Sequence, residues 1–274
     1  MAETKSTKDI ESTDSAHVDA AIQAINKGEG DKAESLLKDV IQRIPDEYTN
    51  QYEEAGILFI KFWDRAEFLH YVAYQKDQEA EKQITWIGNA YPRAYFHLGF
   101  LRVKAKKFAE AIPFLDQGFT LEPTNPKFVF EKAMALSRMQ KHEQAMSLYN
   151  SINKVGPHVS RDDIARALRG RGSVFIEMGQ LNQAESAFKE SLKFQPDSRV
   201  AINELIYINQ LRKGGSTTQA NFAPTTSSSA DKCAICGQTF TKGQLTKING
   251  KTGFICNTCQ MTQTKSKNWW EIWK

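Results

Sequence analysis

Residues Ala165–Ser198 read ARALRGRGSVFIEMGQLNQAESAFKESLKFQPDS. Apolar and small residues recur here at helical spacing in two blocks, broken by Met178-Gly179-Gln180. Leu168, Gly172 and Phe175 share one face of the first block, and Leu181, Ala184, Phe188 and Leu192 share one face of the second. Gly172 and Ala184 fall where two antiparallel helices would cross, and small side chains let the backbones approach there. Pro196 stops the second helix, since it lacks an N–H and disfavours helix in the residue before it. A helix pair of this size cannot bury its apolar face alone and needs neighbours.

The neighbours are in the same chain. Ala21, Ala24, Gly28, Ala33, Leu37, Val40 and Pro45 stand in register with Gly172, Phe175, Gly179, Ala184, Phe188, Ser191 and Pro196. A further unit runs from Pro92 through Tyr95, Leu98, Gly99, Ala111, Leu115 and Gly118 to Pro123. Another runs from Pro126 through Val129, Ala133, Leu136, Ala145 and Tyr149 to Pro157. About five residues, Ser160 to Ile164, lengthen the following connection or helix start. Arg199–Lys213 reads as a single amphipathic helix covering the last open face. This unit of 34 residues resembles the tetratricopeptide repeat (TPR), and the expected fold class is an all-α solenoid of helical hairpins over residues 13–213. Residues 1–12 are expected to be a disordered leader.

Residues 46–91 break the pattern. They are rich in aromatics (Tyr48, Tyr52, Phe59, Phe62, Trp63, Phe68, Tyr71, Tyr74, Trp86, Tyr91), and the small residues miss the repeat register. The expectation is a degenerate helix pair with a third helix near 79–90. Its aromatics either fill an irregular core or form a ligand-binding cluster.

After a Ser/Thr-rich stretch at 214–230, expected to be a flexible tether, residues 231–274 form a separate module. All four cysteines are here, in two pairs: Cys233-Ala-Ile-Cys236 and Cys256-Asn-Thr-Cys259. Each pair can close a tight knuckle, and two knuckles supply the four thiolates of a tetrahedral structural Zn²⁺ site. A redox dithiol is the other reading. Asn249-Gly250 suits a hairpin turn between the pairs. So small a module depends on its metal to fold. CAICGQTF and KINGKTGFICNTC resemble the treble-clef zinc-binding domain of Clp-type unfoldase ATPases. That resemblance implies a helix after Cys259 and a docking or dimerising role, with no ATPase accompanying it. Trp269, Trp270 and Trp273 close the chain, either packed on the module or exposed as anchors for a partner.

Composition is that of an ordinary globular chain, 41% hydrophobic and 25% charged. No apolar run approaches the ~18 residues of a membrane span, and the first residues lack the apolar core of a secretory signal; the expected location is cytoplasmic. Residues 231–274 carry seven lysines against Asp231 and Glu271, or +5; four zinc-bound thiolates reduce this to about +3. Weak nucleic-acid contact is therefore the alternative role for the module. Gly250-Lys251-Thr252 is no phosphate loop, because Leu245 stands where its first glycine must be. Gly170-x-Gly172-x-x-Phe175 lacks the third glycine of a dinucleotide fingerprint. The five histidines are scattered with no nucleophile or carboxylate pair, so no enzyme is expected.

In TPR arrays the first helix of each unit lines a concave groove that takes peptides or helices. That resemblance places Arg93, Phe96, Phe100, Lys104, Lys127, Phe130, Met134, Arg138, Arg166, Arg169 and Ser173 in the groove. Such a mixture suits an acidic segment with apolar anchors. Val18 and Ile22 stand where the first Lys and Asn of the chaperone-tail clamp would be, so that clamp is not reproduced. The expected role is a protein-binding adaptor with two docking sites.

Overall fold

The computed structural model describes residues 7–78, 82–213, 231–232, 239–240, 243–248 and 251–256, with side chains over 11–78 and 82–213. The array is four helix pairs: α1 (Thr7–Lys27) with α2 (Gly30–Ile41), α4 (Tyr91–Lys104) with α5 (Phe108–Leu121), α6 (Pro126–Arg138) with α7 (His142–Ser151), and α8 (Arg161–Glu177) with α9 (Leu181–Phe194). α10 (Arg199–Arg212) packs on α9 at the end of the array. Between α2 and α4 lie β1 (Gln51–Glu54), β2 (Ile57–Lys61), α3 (Arg65–Asp77) and β3 (Gln83–Ile87). The C-terminal strands are β4 (Asp231–Lys232), β5 (Thr239–Phe240), β6 (Gly243–Ile248) and β7 (Lys251–Cys256).

The second helix of each unit packs on the first helix of the next: α2 on α4, α5 on α6, α7 on α8 and α9 on α10. First helices also touch one another, α1 with α4, α4 with α6, α6 with α8 and α8 with α10. Second helices make no comparable mutual contact, so the stack curves with its first helices on the inside. Within the quoted unit, a Cβ on Gly172 would sit 2.6 Å from the Phe188 ring, which explains the small residue at that crossing. The extra residues near 160 extend a helix start: Ser160 caps α8, with Asp163 completing a capping box.

Two expectations are corrected. Residues 7–12, expected in a disordered leader, are the first turns of α1; residues 1–6 lie outside those described. Residues 46–91 are not a degenerate helix pair. β1 and β2 form an antiparallel hairpin, and β2 pairs in parallel with β3 through α3. The hairpin turn is Ala55-Gly56, both at positive φ (52° and 78°), the geometry of a two-residue primed turn. Ile57, Leu58, Phe59 and Ile60 are β-formers, and Tyr52 stacks on Phe59 directly across the ladder at 4.9 Å. α2 packs straight onto α4, so the segment is looped out of the solenoid rather than built into it. The span from Pro45 to Pro123 is thus one repeat with a large insertion.

The insertion has its own small core of Ile60, Phe62 and Tyr71, with Leu58, Phe68 and Ile84 against it. Four other clusters form the interior of the array. Among the described residues, no helix is long and apolar enough to cross a membrane.

Candidate functional site: the inner face of the array

The expected groove residues all lie on first helices, but their environments differ from that of an open basic trough. Phe130 (2% exposed) and Met134 (6%) are core residues and are not available as surface anchors. The reason is that α6 is buried over almost all its surface, wedged among the helices on either side of it. Phe100 is half-buried against the α1–α2–α4 cluster. Lys104 is exposed.

The cations are engaged within the molecule. Arg93 pairs with Asp19 of α1 and donates to the Ser15 hydroxyl (3.3 Å) and the Asn89 carbonyl (3.1 Å). Lys127 pairs with Asp64 (3.4 Å) and Glu67, and its ammonium lies 4.9 Å from the centre of the Trp63 ring. Arg138 lies 3.8 Å from Glu177. Arg166 approaches Glu131 at 3.6 Å and stands 4.4 Å over the Phe130 ring. Burial raises the Glu131 pKa and lowers that of Arg166, each partly restored by the other. Arg169 donates to Gln195 at 2.8 Å, and Ser173 donates to the Arg169 carbonyl at 3.2 Å.

Of the residues that organise this face, the sequence points only to Trp63, as one of the aromatics of 46–91. Trp63, just after β2, rests edge-on against Phe96 (5.1 Å) and Phe128 (5.6 Å). Its indole N–H donates to Glu122 at 2.7 Å. Glu122, 3% exposed, also accepts from the amides of Asn89 (3.1 Å) and Asn125 (3.0 Å). Burial pushes its pKa up to about 7, against the pull of these three donors. His97 lies beside Trp63, and burial together with the Arg93 and Lys127 charges pushes its pKa down to about 3, so its ring is neutral. Further along, the α3 ring of His70 donates to the Gly156 carbonyl at 2.8 Å, and Tyr71 packs on His158. The seam between α3 and the array encloses a cleft of about 330 Å³. The one local signal for the others was Asp64, a capping residue ahead of a helical run; it accepts from the Ala66 and Glu67 amides.

The C-terminal strands include the expected hairpin. β6 and β7 pair from Gly243 opposite Cys256 to Ile248 opposite Lys251. β4 pairs with β5 and also packs against β7. Among the described side chains, none forms a cluster of three or more metal-ligating residues. Cys233, Cys236, Cys259, Trp269, Trp270, Trp273, the tether and the side chain of Cys256 lie outside what is described.

A family model for the tetratricopeptide repeat matches residues 92–125 and 165–198. Among solved structures, PilF of Pseudomonas aeruginosa matches with a TM-score of 0.52 over 76% of this chain and 72% of that one, at 11% identity, a likeness of fold alone. The first TPR domain of human RPAP3 is 25% identical over 45% of this chain and 93% of that one, with a TM-score of 0.38. A tetratricopeptide repeat protein from Parabacteroides merdae is 15% identical over 74% and 61%, with a TM-score of 0.47. Residues 92–125 and 165–198 are tetratricopeptide repeats, and the helical array around them is a TPR-type solenoid.

Proposed function

We propose that this chain is a protein-interaction adaptor whose curved array takes a partner segment on its inner face. Tetratricopeptide repeats generally mediate protein–protein interaction, and the observation that carries the reading is the row of first helices brought side by side on the inside of the curve. Basic and apolar side chains are mixed along that row (Arg93, Phe96, Phe100, Lys104, Lys127), which suits an acidic segment with apolar anchors. The second docking site is the C-terminal module, with Cys233, Cys236, Cys256 and Cys259 holding a structural Zn²⁺. The pairing of strands supports that assignment: β4 ends one residue before Cys233 and lies beside β7, which ends at Cys256. Four thiolates are a donor set suited to zinc. The metal would supply the cross-link that so small a module needs to fold.

The test is capture from lysate of the source organism, with and without nuclease and at low and high salt, by the full chain and by its C233S/C256S variant. The adaptor reading expects a discrete protein that survives nuclease. Recovery only of nuclease-sensitive, salt-labile material that the variant loses would favour the alternative, nucleic-acid contact through the lysine-rich module.

A further inference from the structure

The insertion places one of its own segments where a partner segment would go. Trp63 is an aromatic anchor set against Phe96 of α4 and Phe128 of α6. The adjacent Asp64, and Glu67 one helical turn on, both meet Lys127 of α6. His70 then bonds the loop before α8. An anchor followed by two acids is the chemistry expected of an external ligand for this face, and Phe96 and Lys127 are both among the residues expected to read it.

The contact is also of a kind that can open. The core of the insertion is separate from the four clusters of the array; at this seam Trp63 packs with an array cluster and Tyr71 rests on the His158 ring. The remaining links there are polar, and they surround the 330 Å³ cleft instead of a continuous apolar interface. Parting the two surfaces uncovers Trp63, one side of Tyr71, the Glu122 carboxyl and a few ion pairs, a small area beside the clusters on either side.

The geometry points to Trp63–Glu67 as an internal ligand of the groove, and to the external partner as an acidic peptide segment with an aromatic anchor that displaces it. This rests on the adaptor reading above and names the partner class. A tethered segment competes at an effective concentration on the order of millimolar. The apparent affinity of any external segment is therefore lowered by the fraction of molecules in which the site is closed.

The experiment uses a fluorescent peptide with this chain's own sequence FWDRAEF (Phe62–Phe68), titrated against the full-length protein. D64N/E67Q removes both acids while keeping an Asn cap on α3 and an acceptor for the Trp63 amide. W63A empties the anchor site. The peptide is expected to bind D64N/E67Q about fivefold, and W63A about tenfold, more tightly than wild type. Adding K127M is expected to abolish both gains, with helix content by circular dichroism unchanged in every variant. No gain in either folded variant would overturn the proposal, as would a gain that persists with K127M. If the peptide fails while the array still captures an external protein, the internal ligand falls and the adaptor reading stands.

Discussion

Gly179 ends α8 at φ +73° and Gly28 ends α1 at +81°, the left-handed conformation that turns one helix back on the next. At the corresponding turns of the two middle units stand Lys106 (φ 61°) and Gln140 (φ 60°), which pay a steric cost there that glycine avoids. Each of K106G and Q140G is expected to raise stability by about 0.5–1 kcal/mol in urea unfolding, the gain being limited by glycine's larger unfolded-state entropy. Gly172 is the opposite case: G172A drives a methyl into the buried Phe188 ring and is expected to cost about 1–3 kcal/mol. Glu122 gives a pH signature. Its folded pKa lies above its unfolded value of about 4.5, so the native state binds more protons between the two, and stability falls as pH rises through that window. Wild type is expected to lose on the order of 2.5 kcal/mol relative to E122Q between pH 5 and pH 8. A parallel pH dependence of the two proteins would show that the carboxyl is not held near neutrality.

At the scale of elements, the helix pairs were legible because their period and small-residue positions are local properties. Gly172 opposite Phe188, or Ala33 and Leu37 facing the core, can be read from spacing alone. The insertion was not. Its hairpin turns on Ala55-Gly56 instead of an Asn-Gly or Asp-Gly pair, and its aromatics suit a helix core as well as a strand face. The groove was legible as positions but not as environments. Nothing near Lys127 in sequence indicates that Asp64 and Glu67 will meet it, and nothing local to Phe130 shows how deeply α6 is enclosed. The difference in core size carries a dynamic consequence. The amides of β1–β3 are expected to exchange with solvent at least tenfold faster than those of α4, α6 and α8, measured by native-state hydrogen exchange. Equal protection throughout would mean that the insertion and the array unfold as one body.

For the whole molecule, we propose a curved array followed by a C-terminal zinc module. The zinc assignment predicts about one Zn²⁺ per chain by elemental analysis, lost in C233S/C256S with the far-ultraviolet signal of the array unchanged. Metal retained in that variant would place the zinc elsewhere. The central claim is that the inner face of the array binds a protein, and site-specific photocrosslinking tests it most directly. A benzophenone side chain replaces Lys104, exposed on a first helix, or Phe119, exposed on a second helix at 39%, in the full-length chain within its native cells. The account predicts a discrete protein adduct from position 104 that survives nuclease and is absent from position 119. Adducts from 119 alone, or none from either position, would contradict it.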